Sequence, residues 1–350
     1  MWERPVATEY LSTKEAAEKL GYSVQHTRLL IRQGKLKARK PARDWLVVGE
    51  SVAQYQKRLD FPNGPERKHP RRLSSVVNVA TVPFRSPFRY PGGKTWLVPR
   101  IRQWLSSGNQ PRKELIEPFA GGAIVGLSAV FEGLVERVTL GELDEDVASV
   151  WGTVLYGEGE WLADQITAFE MTTANVQRVL ARAGESTRDR AFATIVRNRI
   201  NRGGILAPGA GVVKKGENGK GLRSRWYPDT LRKRILNILK HKDRIDFVQE
   251  DGLALLEEKK DNADVSWFID PPYVVAGRRL YKYSEIDHDK LLALAGELSG
   301  DFLITYDDSP QIEKLAETHG LAICRVPMKN THHQKKMELL IGPDLSWLAS

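Results

Sequence analysis

Four residues, Asp270-Pro271-Pro272-Tyr273, close the apolar run Val265–Ile269. A short run of that composition reads as a buried strand, so its end lies at the carboxyl edge of a sheet, where ligands bind. The prolines continue neither a ladder nor a helix, which leaves stiff backbone whose carbonyls no secondary structure uses. A carboxylate beside a free carbonyl can accept both hydrogens of an amino group, and the aromatic ring that follows can stack on a planar base. Chemistry on the exocyclic amine of a flipped nucleobase needs those groups. A strand that merely ends in a proline turn needs only the prolines, so companion motifs must decide between the two.

Three other segments carry chemistry. Glu117-Pro118-Phe119-Ala120-Gly121-Gly122 stands between a strand-like run and the helical stretch Ile124–Phe131, where glycines let backbone approach a ligand closely. Gly141-Glu142-Leu143-Asp144 ends the next strand, and a carboxylate there is placed to bind ribose hydroxyls, with Glu142 nearest the strand end and Asp144 the alternative. Arg89-Tyr90-Pro91-Gly92-Gly93-Lys94 precedes them all, as a tight turn that carries a lysine.

Taken in order, Tyr90–Lys94, Glu117–Gly122, Gly141–Asp144 and Asp270–Tyr273 resemble the motifs of the D12 class of S-adenosylmethionine-dependent DNA adenine-N6 methyltransferases, the deoxyadenosine methylase family, over about residues 86–343. The resemblance implies an α/β fold of the class I methyltransferase type: a doubly wound, mostly parallel sheet with a late antiparallel strand and a helical target-recognition insert. It implies site-specific methylation of adenine N6 in duplex DNA by base flipping, with S-adenosyl-L-methionine as cofactor and no metal. By match of motif, Tyr90 and Lys94 hold the methionine end of the cofactor, Pro118, Phe119 and Gly121 line its pocket, and Glu142 takes the ribose. Asp251, after the strand Phe247-Val248, meets the cofactor's adenine amine. Asp270, at the edge of the same pocket, and the Pro271 carbonyl bind the target amine, Pro272 stiffens the turn, and Tyr273 stacks on the base. One position departs: Ala123 stands where the family has glycine, and its methyl group could crowd the cofactor.

The elements that must position these groups follow from pattern. Runs at 115–119, 137–143, 246–248, 265–269 and 302–306 alternate with helical stretches, and 322–327 with 337–342 form a late pair. Strand–helix alternation argues for a parallel sheet covered on both faces. About 125 residues separate the cofactor motifs from Asp270, more than a sheet needs, and this is where the family carries its recognition region. Within it, Arg199, Arg202, Lys214, Lys215, Arg223 and Arg225 suit contact with phosphates and base edges.

The first part of the chain reads differently. Ser12 or Thr13 caps a helix containing Ala16, Ala17 and Leu20; a second helix from Ser23 places Val24, Thr27, Leu30 and Ile31 at helical spacing; Asp44–Val48 is the return strand of a wing. This resembles the excisionase/MerR-like winged helix-turn-helix. The resemblance implies that Gln25, His26, Thr27 and Arg28 face the major groove, with the basic strip Lys35, Arg39 and Arg43 on phosphates or the minor groove. A helical protein-interaction module is the alternative. The expected organisation is therefore a winged helix-turn-helix over 1–59, a basic proline-rich linker over 60–86, and a methyltransferase domain over 87–350 with its insert at about 160–244.

Charge agrees with a polyanionic partner. Of the net charge of +9, residues 1–85 hold 17 basic and 8 acidic side chains, while the remainder holds 36 of each. Within that remainder, residues 188–244 concentrate 16 basic against 4 acidic groups. Double-stranded DNA is the expected partner. The single cysteine, Cys324, excludes an internal disulfide, the seven histidines show no metal-ligand spacing, and no apolar run is long enough to span a membrane. These features fit a cytoplasmic protein, and a partner restriction nuclease is the further expectation. Two rival functions remain at this stage: a DNA-binding regulator with a vestigial methyltransferase domain, and methylation of another exocyclic base amine.

Overall fold

The computed structural model describes residues 9–20, 24–32, 34–41, 44–60, 73, 76, 78–107, 112–216, 219–273, 280–283, 285–329 and 335–349. The first unit runs β1 (Tyr10–Ser12), α1 (Thr13–Leu20), α2 (Val24–Arg32), β2 (Ala38–Arg39), β3 (Leu46–Val48) and α3 (Gly49–Asp60). Ser12 and Glu15 start α1 as a reciprocal capping box: the Glu15 N–H donates to Ser12 Oγ at 3.2 Å, and the Ser12 N–H to Glu15 Oε2 at 2.7 Å. The three short strands form a sheet in the order β1-β3-β2, the wing expected from the sequence. Leu11, Ala16, Leu20, Leu30, Ile31, Leu36, Val47 and Val52 make its small core.

The second unit is built on a seven-stranded sheet. In chain order its elements are α4 (Val98–Leu105), β4 (Arg112–Glu117), α5 (Ile124–Phe131), β5 (Val135–Gly141), α6 (Glu145–Leu155), α7 (Gly159–Ala168), α8 (Thr173–Ala181), α9 (Thr187–Ile200) and α10 (Pro228–Leu239). Then follow β6 (Ile245–Val248), α11 (Gly252–Lys259), β7 (Val265–Ile269), α12 (His288–Glu297), β8 (Asp301–Asp307), α13 (Pro310–Thr318), β9 (Ala322–Lys329) and β10 (Lys335–Gly342). The strand order is β6-β5-β4-β7-β8-β10-β9. Strands β4 to β8 pair in parallel, and β10 runs antiparallel to both β8 and β9. This is the doubly wound, mostly parallel sheet with a late antiparallel strand. Helices α7 to α10 lie between α6 and β6 in the chain, the segment read as an insert.

Side chains of the central strands alternate between two cores. Leu115, Val138, Leu140, Phe268 and Leu303 pack under α4 to α10, whereas Ile116, Trp267, Ile269, Ile304 and Leu339 pack under α11 to α13. All of β7 is buried, as a strand covered on both faces must be. β4 ends at Glu117, two residues before the expected end, because Pro118 has no N–H for the ladder. The chain leaves β4 toward β5 and β6 on one side, and β7 pairs with β4 on the other. That reversal opens a crevice beyond the ends of β4 and β7. Among the described residues no helix is long and apolar enough to cross a membrane.

The two units touch. Arg32, the last residue of α2, donates to the Glu297 carbonyl at the end of α12. A cation at a helix carboxyl terminus meets both unused carbonyls and the negative end of the helix dipole.

Ala123 precedes α5 with φ 49° and ψ 34°, the left-handed region, where its Cβ is strained. It is buried in the core under α5, and the family's preference for glycine there has a backbone cause. Ala123→Gly is expected to raise unfolding free energy by about 1 kcal/mol, as the relief of left-handed strain outweighs the added entropy of the unfolded chain. Denaturant unfolding of the two proteins measures it, and equal or lower stability of the glycine variant would contradict the strain.

Candidate active site

Asp270 follows directly on β7. Its Oδ2 accepts from Lys94 Nζ at 2.8 Å and its Oδ1 from Thr305 Oγ1 at 2.7 Å. Lys94 is only 3% exposed and opens a 3-10 turn before α4; its ammonium also donates to the Gly92 carbonyl at 2.9 Å. A charge so deeply buried needs a partner in place, so this ion pair fixes the glycine turn against the end of β7. The same ammonium stands 5.0 Å from the centroid of the Tyr273 ring. Tyr273 OH donates to Glu338 Oε2 at 3.1 Å, and Glu338 lies on β10 opposite Asp307 of β8. Asp270, Pro271 and Tyr273 thus occupy one edge of the crevice, with Lys94 behind them.

The other edge is the end of β4 and β5. Gly121 adopts φ +47°, and a Cβ there would stand 2.5 Å from the Tyr90 ring, so only glycine lets that ring lie on the turn. Tyr90 stacks on Tyr281 at 5.7 Å, and Tyr281 OH donates to the Pro91 carbonyl at 2.9 Å. Glu142 accepts from the Gly121 N–H through Oε2 and from the Asp144 N–H through Oε1, both at 2.9 Å. The carboxylate therefore joins the ends of β4 and β5. Phe119 packs so closely on Gly252 that a Cβ there would meet the ring at 2.5 Å, which brings in the loop after β6. Pro118 is buried beneath.

Two predicted residues, Thr27 and Arg199, sit elsewhere than expected, and the others are placed as follows. Asp251 is exposed and caps α11, accepting from Leu253 N–H at 2.9 Å and Ala254 N–H at 3.1 Å. Thr27 is fully buried and so faces no groove. It shares the helix face of Leu30 and Ile31, and one face cannot be both core and reader. Arg199 is buried and donates to the Pro87 carbonyl, because α9 is enclosed on nearly every side. It is enclosed, and so is not one of the exposed insert contacts expected from the sequence. Gln25 and His26 belong to α2, but their side chains, like Arg43 and His332-His333, lie outside the described residues. Arg28 and Arg225 are half-buried; Lys35, Arg39, Arg202, Lys214 and Lys215 are exposed; Arg223 is exposed and pairs with Glu170 at 3.3 Å. Thr305, Glu338 and Tyr281 were missed, and Glu117 was read as part of its motif without a role of its own. The first two sit inside strand runs with no local motif; a lone carboxylate in the apolar run 337–342 was the available signal for Glu338.

The crevice is rich in carboxyl groups. Burial pushes Glu142 up to about 7, and burial likewise pushes Glu338 up to about 7 against the opposing pull of Lys94. Glu117 is buried beneath the turn, accepts from the Gly126 N–H, and is pushed by burial up to about 8. Among the described residues no group of three or more acidic, histidine or cysteine side chains is arranged to hold a metal.

The raised value of Glu117 has a defined sign. The folded protein keeps a proton on this carboxyl that the unfolded chain releases above its ordinary value of 4.5. Its stabilising contribution is therefore complete below that value and is lost as pH rises toward about 8. Glu117→Gln keeps an acceptor for Gly126 and never ionises, so its melting temperature is expected to fall less than that of the unaltered protein between about pH 5 and about pH 8. Parallel falls in thermal melts across that range would show that the carboxyl is not held neutral.

Residues 10–60 match the family model of a helix-turn-helix domain, and residues 90–179 that of the D12 class N6 adenine-specific DNA methyltransferase. Comparison with curated proteins gives no match. Among solved structures the chain is similar to the rRNA methyltransferase aviRa from Streptomyces viridochromogenes, at 14% identity and TM-score 0.36 over 74% of this chain and 88% of that one. It is also similar to M. capricolum TrmK in complex with S-adenosyl-homocysteine, at 8% identity and TM-score 0.31 over 70% and 68%. Likenesses so distant carry no argument about substrate. The family match makes S-adenosylmethionine the methyl donor. The crevice has acidic side chains and aromatic rings for a cationic ligand, while the Lys94 ammonium is already engaged by Asp270 and the Gly92 carbonyl. The chain thus matches a helix-turn-helix domain over residues 10–60 and the D12 class of N6 adenine-specific DNA methyltransferases over residues 90–179.

Proposed function

We propose that this enzyme is a site-specific methyltransferase acting on adenine N6 in duplex DNA, with the target base flipped into the crevice. The observation that carries the reading is the Asp270 carboxylate, fixed by Lys94 and Thr305 beside the Pro271 carbonyl at the point where the strand order reverses. In this reading Asp270 and the Pro271 carbonyl accept the two N6 hydrogens. Delocalisation into the ring makes the amine a poor nucleophile, and holding its hydrogens favours the pyramidal geometry that frees the lone pair. Proximity and a fixed electrostatic frame then lower the barrier. Pro272 stiffens the turn, and the Tyr273 ring holds the base plane. S-adenosylmethionine supplies an electrophilic methyl group on a sulfonium. Tyr90, Lys94, Pro118, Phe119, Gly121 and Glu142 are the proposed holders of the cofactor, and the acidic side chains suit its positive charge. Asp251 belongs to the set through its free carboxylate oxygen, since the other caps α11.

Duplex DNA as substrate is supported by the helix-turn-helix and by the charge of residues 188–244. Arg28, Lys35 and Arg39 are the proposed contacts of the first domain, and Arg202, Lys214, Lys215, Arg223 and Arg225 those of the insert. We take the methyltransferase domain as residues 87–350, with the insert at about 160–244. This reading places the enzyme in the cell interior, where a nuclease of the same site preference is its proposed partner.

The test incubates purified protein with duplex DNA and S-adenosylmethionine, then digests the DNA to nucleosides. N6-methyladenine is the expected product, and Asp270→Asn is expected to lower its rate at least about 100-fold while the protein still binds cofactor. A methylated cytosine would move the reading to another base amine. Cofactor binding without any product would leave a DNA-binding regulator.

A further inference from the structure

Segment 84–90 enters the methyltransferase domain past α9 and α10, and three guanidinium groups gather on it. Arg199, near the end of α9, is 4% exposed and donates to the Pro87 carbonyl. Arg234 of α10 donates to the Ser86 carbonyl at 3.2 Å and covers the Phe84 ring at 4.5 Å. Asn198 clamps the backbone of Arg89, accepting from its N–H at 2.9 Å and donating to its carbonyl at 3.0 Å. The half-buried Arg89 guanidinium itself meets no acceptor among the described residues.

Among the described residues no carboxylate is paired with these charges. The charged groups that act on Arg199 are Arg234 and Arg89, and those on Arg89 are Arg225 and Tyr227. Burial first, and these cations second, push the Arg199 guanidinium down to about 9. Its Nε is buried without a hydrogen-bond partner among the described residues. Several arginines of the domain are treated differently: Arg85 and Arg102 share Glu132, Arg112 has Asp301, and Arg197 has Asp146. Crowding like charges away from water destabilises a fold unless something neutralises them. The hydrogen bonds to Ser86 and Pro87 explain the placement of two of the three groups but leave their charge uncompensated.

We propose that Arg89, Arg234 and the buried Arg199 behind them form an anion site for one phosphodiester of the DNA backbone. A planar guanidinium fork matches two phosphate oxygens, and binding would relieve the repulsion that the free protein carries. Arg89 is the residue before Tyr90, so the phosphate is held next to the crevice and sets where the duplex lies on it. The site rests on the reading of DNA as the substrate and names a contact that the exposed lysines of the insert do not supply.

The experiment uses the full chain with Arg89→Gln, Arg89→Lys and Arg234→Gln. The Arg89 side chain makes no bond to a described residue, and glutamine at 234 can still donate to Ser86, so folding is preserved. Duplex DNA binding is measured over a salt series, with S-adenosylmethionine affinity as control. Each glutamine variant is expected to flatten the plot of log affinity against log salt by about one unit and to weaken binding equally on all sequences. Arg89→Lys restores the slope, and cofactor affinity does not change. An unchanged slope in both glutamine variants overturns the proposal. If inorganic phosphate, exchanged for chloride at matched ionic strength, raises the melting temperature in an Arg89-dependent way while the DNA slope stays fixed, the site takes a free anion and the backbone assignment fails. Absence of duplex binding by the unaltered protein would instead defeat the reading of DNA as the substrate.

Discussion

A buried ammonium without a counter-charge is among the costliest groups a protein can enclose, and Lys94 is 3% exposed. Its counter-charge is Asp270, 176 residues away in the chain, at the end of β7. That ion pair decides how the two ends of the catalytic domain meet. It anchors the Tyr90–Lys94 turn on the strand beside the topological switch point, and that turn presents Tyr90 to Gly121. It also holds the Asp270 carboxylate at a fixed orientation, with Thr305 of the neighbouring strand on the second oxygen. Removing Asp270 would leave the buried ammonium stranded, whereas Asp270 itself is part exposed and keeps Thr305.

Around the pair the sheet supplies acid. Glu142 joins β4 to β5, Glu338 brings the antiparallel strand β10 to the Tyr273 hydroxyl, and Glu117 lies under the glycine turn, all three raised by burial above their ordinary carboxyl value. An electropositive ligand is the natural complement of such a crevice. Basic residues concentrate in residues 1–85 and 188–244, where a polyanion would run, and Lys94 inside the crevice is held by Asp270. The two charge signs thus separate the two ligands of the proposed reaction.

Much of this was legible in the sequence, and the reasons are local. Val265–Ile269 and Asp270–Tyr273 announce a buried strand and its ligand edge within nine residues, and the glycine turns mark close approach. The late antiparallel strand followed from the resemblance and the run 337–342. What failed depended on which way a side chain points. Thr27 was given a groove although its spacing placed it with Leu30 and Ile31, and Arg199 was read as surface from charge alone on a helix that is enclosed. Thr305 was invisible because a hydroxyl inside an apolar strand run carries no signal until the neighbouring strand is in register with it. The end of β4 was misjudged by the length of the apolar run, where Pro118 had already stopped the ladder.

The account depends on Lys94 and Asp270 acting as one unit, and a double-mutant cycle in unfolding free energy reads that directly. Asp270→Asn alone should lose about 3 kcal/mol or more, since it leaves the buried Lys94 ammonium unpaired, and Lys94→Met alone should lose less, since Asp270 is part exposed and keeps Thr305. The double variant should lose less than the sum of the two by at least about 1.4 kcal/mol. Losses that simply add would show two independent residues, and the ion pair would not be what joins the glycine turn to the switch point.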